Sequence, residues 1–208
     1  SMFDAGYSVN DIDAVYISHI HADHTGGLEW LGFSRYFSDT STPKLFISED
    51  IVSPLWRTLS EGMSSLEEKE ARLETYFSVN VVTSNRTFSW MGHTFKLEYA
   101  RHVINNGIEV PCYGLSLSVN DNFIYITSDT LNIYLENPNL YKKANIIFHD
   151  CETLPFKSGV HANYVDLLDL PKEIRNKMWL YHYNPGKNQE PIKDGFKGFI
   201  KKQQKFLF

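Results

Sequence analysis

Three imidazoles and a carboxylate fall within six residues, in the pattern His19-x-His21-x-Asp23-His24. His19 and His21 stand two apart at the end of a strand-like run, where alternate side chains of extended backbone share a face. Asp23 and His24 follow at once, and Thr25-Gly26-Gly27 opens an apolar helical stretch from Leu28 to Phe33. Glycine at these positions lets the backbone come close to whatever the histidines hold. So dense a cluster is costly unless something binds it. A divalent cation is the natural occupant, zinc first because nitrogen and oxygen ligands suit it, with manganese as an alternative.

Behind its short strand, His19-x-His21-x-Asp23-His24-x-Gly26-Gly27 resembles the signature of the metallo-β-lactamase superfamily. The resemblance runs from Phe3 to about Tyr183 and implies an α/β fold, the αββα sandwich of that superfamily. It also implies a distant His, an Asp and a last His. Arg101-His102, Ser128-Asp129-Thr130 and Tyr181-His182-Tyr183 stand in that order, each behind a strand-like run. Carried over, His19, His21 and His102 hold one zinc ion, Asp23, His24 and His182 hold a second, and Asp129 bridges the two. Sites sharing a carboxylate in this way lie ~3.5–4 Å apart, lower the pKa of a shared water toward ~7 and take up charge from the electrophile's oxygen. The reaction class implied is hydrolysis, and Asp23 is counted with the catalytic set as well as with the ligands.

Phe148-His149-Asp150-Cys151-Glu152, followed by Gly159-Val160-His161-Ala162, resembles the phosphodiesterase branch that includes the tRNA 3′-processing endonucleases. There an acidic residue, here Asp150, orients a histidine, here His161, which protonates the leaving oxygen. A carboxylate beside an imidazole fixes its tautomer and keeps an acid available near neutral pH. His93 and His149 lie outside this pattern and are read as structural. The tRNA enzymes carry a long arm between the third ligand segment and the bridging Asp, whereas a short loop and one hairpin separate His102 from Asp129. The acidic body also lacks a basic footprint for tRNA. This compact layout, with Ile12-Asp13-Ala14-Val15 through Leu28-Glu29-Trp30-Leu31, is similar to the phage anti-Pycsar phosphodiesterases, which destroy cyclic mononucleotide signals in antiphage defence. That resemblance implies a 3′,5′-cyclic mononucleotide substrate such as cyclic UMP or cyclic CMP, opened to the linear monophosphate. Tyr164 and Tyr183 are the aromatic candidates for stacking on its base. The alternatives are a tRNA-processing endoribonuclease, a thioester or lactam hydrolase in which Asp150 and His161 have no role, and a non-catalytic truncated relative. His21, where the redox di-iron branch has a carboxylate, counts against that branch.

These side chains must be held by an ordinary core. The chain has 208 residues, 42% hydrophobic and 22% charged, which fits one soluble domain spanning 1–208. No apolar stretch approaches the ~20 residues of a membrane-spanning helix. Two cysteines, Cys112 and Cys151, suit inert thiols in a reducing cytoplasm, the host's if the gene is a phage's. The net charge of −5 disfavours a stable nucleic-acid partner. From Lys187 onward six lysines face Glu190 and Asp194, a surplus of four positive charges, so the remainder carries −9. This end reads as a solvated surface strand or as a contact for an anionic ligand or partner chain.

Strands are expected at Ala14–Ser18, Lys44–Ser48, Val79–Thr83, Phe88–Trp90, Thr94–Ala100, Asn145–His149 and Met178–Tyr183. A hairpin joins Tyr113–Val119 to Phe123–Thr127 around Asn120-Asp121-Asn122. Residues 54–77 read as a helical insertion, broken near Gly62 and restarted by a capping box at Ser64-x-x-Glu67 or Ser65-x-x-Glu68. Ser1 ahead of Met2 reads as a cloning scar. The superfamily places roughly fifty residues of strand and helix before the first histidine, whereas eighteen precede His19, with Phe3–Tyr7 as the end of a helix. The expectation is a sheet lacking its N-terminal strands, with an open edge that invites a homodimer.

Overall fold

The structure, a computed structural model, describes residues 2–66, 69–83, 85–186 and 188–208. The chain forms two compact units, Ser1–Arg86 and Thr87–Phe208.

The first unit begins with a 3-10 turn, Phe3–Ala5, closed by Gly6 at φ 82°. There follow β1 (Ala14–Ile17), α1 (Ala22–Thr25), α2 (Leu28–Phe37), β2 (Lys44–Ser48), α3 (Glu49–Met63), the short pair β3 (Ser65–Leu66) and β4 (Lys69–Glu70), α4 (Leu73–Tyr76) and β5 (Ser78–Val82). β1, β2 and β5 make a parallel sheet in that order, with Ile17 opposite Ile47 and Ile47 opposite Val81. β1 is an edge strand of this sheet.

The helix α3 corrects the sequence reading. It starts at Glu49, five residues before the expected Pro54, with Ser48 at its N-cap and Glu49 and Asp50 in the first turn, where acids suit the helix dipole. As expected, it ends close to Gly62, with Met63 as its last residue, and a second short helix, α4, follows. Ile51, Leu55, Leu59 and Met63 form a buried stripe at four-residue spacing. At ~1.5–3 kcal/mol each, these side chains outweigh the ~3 kcal/mol of an interior proline and ~1 kcal/mol of an interior glycine. Beyond Met63 the chain enters β3, so Ser65 sits in a strand and not at a helix start. Glu67 and Glu68, the acids of the two expected capping boxes, lie outside the described residues. Gly32 of α2 packs tightly: a Cβ there would stand 2.9 Å from Met63 Cε and 3.1 Å from Tyr76 Cβ. Arg35, also on α2, is buried, and its guanidinium donates to the Ser41 carbonyl (2.5 and 2.9 Å), the Ser41 hydroxyl (2.6 Å) and the Val9 carbonyl (3.2 Å). Those bonds offset the desolvation of the charge.

The second unit contains β6 (Thr87–Trp90), β7 (His93–Tyr99), β8 (Ile104–Asn105), β9 (Ile108–Glu109), β10 (Tyr113–Val119), β11 (Asn122–Ile126), α5 (Pro138–Lys143), β12 (Ile146–Asp150), α6 (Tyr164–Leu168), α7 (Lys172–Arg175), β13 (Met178–Tyr181) and β14 (Gly198–Phe199). Seven of these strands form one mixed sheet in the order β14-β13-β12-β11-β10-β7-β6. Met91 and Gly92, at φ 49° and 79°, turn β6 into β7, as a two-residue hairpin loop requires. The β10–β11 hairpin is the one expected. The β8–β9 hairpin was not read from the sequence, and its Ile104 and Ile108 are exposed. The lysine-rich end is largely irregular and not a surface strand, with Gly198–Phe199 paired to β13.

Strand directions explain where the site residues gather. β7 and β11 both run antiparallel to β10, and β12 and β13 run parallel to β11. The C-terminal ends of β7, β11, β12 and β13 therefore lie along one edge of the sheet. His102, Asp129, Asp150 and His182 stand at or just past those four ends. Beneath them, Tyr125, Tyr141, Ile147, Leu167, Met178 and Leu180 form a buried core between strands and helices. Among the described residues, no helix is long and apolar enough to cross a membrane.

Gly114 at the start of β10 governs the end of β11, because a Cβ there would meet the Ile126 carbonyl oxygen at 2.3 Å and that of Thr127 at 2.6 Å. Backbone cannot retreat as a flexible side chain does. Gly114→Ala is expected to cost about 1–3 kcal/mol, read as a lowered denaturant midpoint, and an unchanged midpoint would refute this packing.

Candidate metal centre

In the first unit, the chain leaves β1 through Ser18 and buries His19 completely. The Ser18 hydroxyl lies 3.0 Å from His19 Nδ1 and 3.5 Å from His24 Nδ1. His19 Nε2 is 3.2 Å from His21 Nδ1. Two ring nitrogens at that distance either share a hydrogen or turn lone pairs to one cation. The His19 ring centroid is 4.7 Å from that of His21 and 4.1 Å from that of His24, and Asp23 Oδ2 is 3.5 Å from His24 Nε2. The amides of His24 and Thr25 both donate to the His21 carbonyl at 3.0 Å, so α1 is wound directly onto that residue. Gly26 serves this turn, since a Cβ there would stand 2.6 Å from the Ala22 carbonyl oxygen.

In the second unit, Asp150 ends β12 with no exposed surface. Its Oδ2 accepts the Thr130 amide at 2.8 Å and lies 2.8 Å from His161 Nδ1; its Oδ1 lies 3.3 Å from His182 Nδ1. Burial alone would raise the Asp150 carboxyl, but His161, His182 and the Thr130 amide outweigh it and hold it below the usual carboxylate range. Burial would lower His161, yet the bond to Asp150 and its charge hold that imidazole above its ordinary value. His102 Nδ1 is 2.7 Å from the Val160 carbonyl, which only accepts, so Nδ1 carries the hydrogen. That leaves Nε2, 3.7 Å from Asp129 Oδ2, as the ring nitrogen turned toward the carboxylate, the orientation a metal-binding imidazole needs. Asp129, Asp150, His161 and His182 each present a ligand atom, all within 4.8 Å of one another. Buried carboxylates beside imidazoles are a donor set that fits a divalent cation such as zinc. Two residues here depart from ordinary backbone, Ser128 at φ 56° and His182 at φ 62°. Non-glycine residues rarely adopt this region, and it concentrates at functional sites.

Tyr164 is 3% exposed; its hydroxyl donates to Asp194 at 2.6 Å and its ring packs on Phe196 and Phe199. That corrects its expected role as a stacking residue, because the ring is already enclosed. Tyr183 is half-buried, its ring centroid 4.5 Å from that of Phe199 at a tilt of 48° and its hydroxyl donating to the Ile200 carbonyl. His149 is structural: its Nδ1 donates to the Asp150 carbonyl at 2.6 Å and its Nε2 accepts from the Tyr141 hydroxyl at 2.9 Å. His93 is a residue of β7, opposite Trp90. Both cysteines are free and buried, and burial pushes the Cys112 thiol up to about 12, so neither is a nucleophile at neutral pH.

Strand-end histidines and aspartates of this kind belong to the metallo-β-lactamase fold, and the structural comparisons show that fold. The structure resembles the metallo-beta-lactamase fold protein YhfI from Bacillus subtilis (TM-score 0.67, 16% identity, 93% of this chain and 76% of that one). It also resembles the short form of human tRNase Z (TM-score 0.58, 15% identity, 88% and 77%). A family model described as Anti-Pycsar protein Apyc1 matches residues 1–206. Anti-Pycsar protein Apyc1 of Paenibacillus harenae is 33% identical over 212 residues, covering 99% of this chain and 83% of its own length. That of Bacillus phage vB_BsuM-Goe3 is 29% identical over 195 residues, covering 88% and 73%. The chain belongs to the anti-Pycsar Apyc1 family.

Several residues that build the site escaped the sequence reading. Glu152 is buried, its Oε1 accepting the Ser158 amide (2.9 Å) and the Asn163 side-chain amide (3.3 Å). Asn163 also donates to the Leu154 and Phe156 carbonyls and caps α6. Together they close the loop that presents the Val160 carbonyl to His102 and His161 to Asp150. Asn163 before the apolar run Tyr164–Leu168 is a helix-cap signal that the sequence did carry. Glu152→Ala is expected to cost ~1–3 kcal/mol and to speed amide hydrogen exchange at Ser158. Unchanged exchange there would show that the loop holds its shape without the carboxylate.

Proposed function

We propose that this protein is a dinuclear metal phosphodiesterase that opens 3′,5′-cyclic mononucleotides, cyclic UMP and cyclic CMP among them, to linear monophosphates. For a phage-encoded member the setting is the host cytoplasm, and the consequence is removal of a cyclic-nucleotide antiphage signal. The observation that carries this reading is the 2.8 Å Asp150–His161 pair, set among histidines and aspartates in a member of the Apyc1 family.

His19, His21 and His102 would hold one ion, Asp23, His24 and His182 the other, with Asp129 bridging. Zinc suits these ligands best. Bound there, the ions supply a water of lowered pKa and stabilise charge on phosphoryl oxygens. His161 supplies the remaining chemistry. Its Nδ1 is committed to Asp150, so the proton for the leaving ribose oxygen sits on Nε2. Asp150 fixes that tautomer and favours the charged, proton-donating ring. Tyr183 is the remaining aromatic candidate for contact with the base. A homodimer is the assembly proposed, and light scattering that shows a monomer would remove it.

Product chromatography with metal-loaded protein tests the substrate. Cyclic UMP, CMP, AMP and GMP are compared with a precursor tRNA and a thioester. Linear monophosphates are expected, and efficient tRNA trimming with every cyclic nucleotide intact would overturn the reading. His161→Ala should keep its metal yet lose ~10²-fold or more in turnover. The loss should shrink on a nitrophenyl phosphodiester, whose leaving group needs no proton. Equal losses on both substrates would assign His161 to binding.

A further inference from the structure

The lysines of the C-terminal end, six from Lys187 onward, take no part in the chemistry above, and four of them share a common location. Lys193, Lys197, Lys201 and Lys202 line a groove of about 900 Å³ within the second unit, a volume typical of small-ligand sites. Trp179, Tyr183 and Phe199 supply aromatic walls. We propose that this groove is a nucleotide-binding site, taking the base against its rings and the phosphate against Lys197 and Lys201.

Three features carry the proposal. The walls are held in place: Lys197 and Ile200 donate backbone hydrogen bonds to the Met178 and Leu180 carbonyls at 2.8 Å each. The Tyr183 ring is pinned between its hydroxyl bond to the Ile200 carbonyl and its tilted contact with Phe199, and Trp179 rests its ring 5.2 Å from Phe206. A rigid aromatic wall binds a flat ring at low entropic cost. The floor is open because residue 198 is glycine. Its φ of 139° suits glycine, and a Cβ there would lie 3.3 Å from Trp179 Cζ3 and 3.8 Å from Ile192 Cγ1, filling the space beside the indole. Finally, the charge is local and of one sign. Glu190 is the acid lining the groove, and it pairs with Lys193 at 2.7 Å. A chain of net charge −5 thus sets a surplus of positive charge around rings, which selects an aromatic anion over a neutral ring or a bare anion. Preferring a nucleotide among aromatic anions rests on the proposed function; the groove itself does not.

Calorimetric titration of chelator-treated protein tests the groove apart from any turnover. The probes are UMP, AMP, uridine and inorganic phosphate. UMP or AMP should bind, with uridine and phosphate each weaker. Lys197 and Lys201 are exposed, so K197Q/K201Q should keep the wild-type melting point while weakening nucleotide binding by ~10-fold or more. Absence of nucleotide binding, an affinity unchanged in the double variant, or phosphate binding as tightly as the nucleotide would each overturn the proposal. Because hydrolysis is not read, failure here leaves the phosphodiesterase reading standing, and the reverse also holds.

Discussion

The second unit is organised around one buried charge. Asp150 has no exposed surface, and a carboxylate in that position costs several kcal/mol unless surrounding groups compensate it. Its compensators come from three places in the chain: the Thr130 amide beyond β11, His161 in the loop after β12, and His182 at the end of β13. One carboxylate thus ties three loops together. One of these compensators, His182, has a φ of 62°, a conformation that costs on the order of 1–3 kcal/mol. Contacts at the strand ends offset that strain.

From this constraint the chemistry follows in order. Asp150 holds the tautomer of His161 and sits within 3.3 Å of His182, so the proposed acid and a proposed metal ligand answer to the same carboxylate. The Glu152–Asn163 clamp sets the loop between them, and the Val160 carbonyl on that loop sets the tautomer of His102. A thioester hydrolase, whose thiolate leaves without a proton, has no need of a donor fixed this way. The free cysteines are buried and protonated at neutral pH, so no competing nucleophile stands in the described residues' cysteines.

Much of this was legible in the sequence, for a definite reason. Ligands at a strand end lie close together in the chain, so His19, His21, Asp23 and His24 betray themselves by spacing alone. Hairpins are equally local, and Asn120-Asp121 marked one. What escaped was set by contacts between distant segments. The start of α3 ahead of Pro54 depends on a buried stripe that outweighs the proline, and local propensity pointed the other way. The Val160 carbonyl has no side-chain signature, so its hold on His102 could not be read. Tyr164 looked available for stacking because sequence gives no exposure, and packing against Phe196 and Phe199 encloses it. The lysine-rich end read either as a solvated strand or as a contact for an anionic ligand or partner chain, and which of these it is depended on packing that places most of its lysines along one groove.

The proposal that the histidines and aspartates at these strand ends hold two metal ions is open to direct test. Elemental analysis of protein reconstituted with zinc and freed of excess metal addresses it most directly. The account predicts two ions per chain, and loss of both in Asp129→Ala, whose carboxylate is proposed to bridge them. A reconstituted chain that retains no zinc, or a stoichiometry indifferent to Asp129, would contradict it.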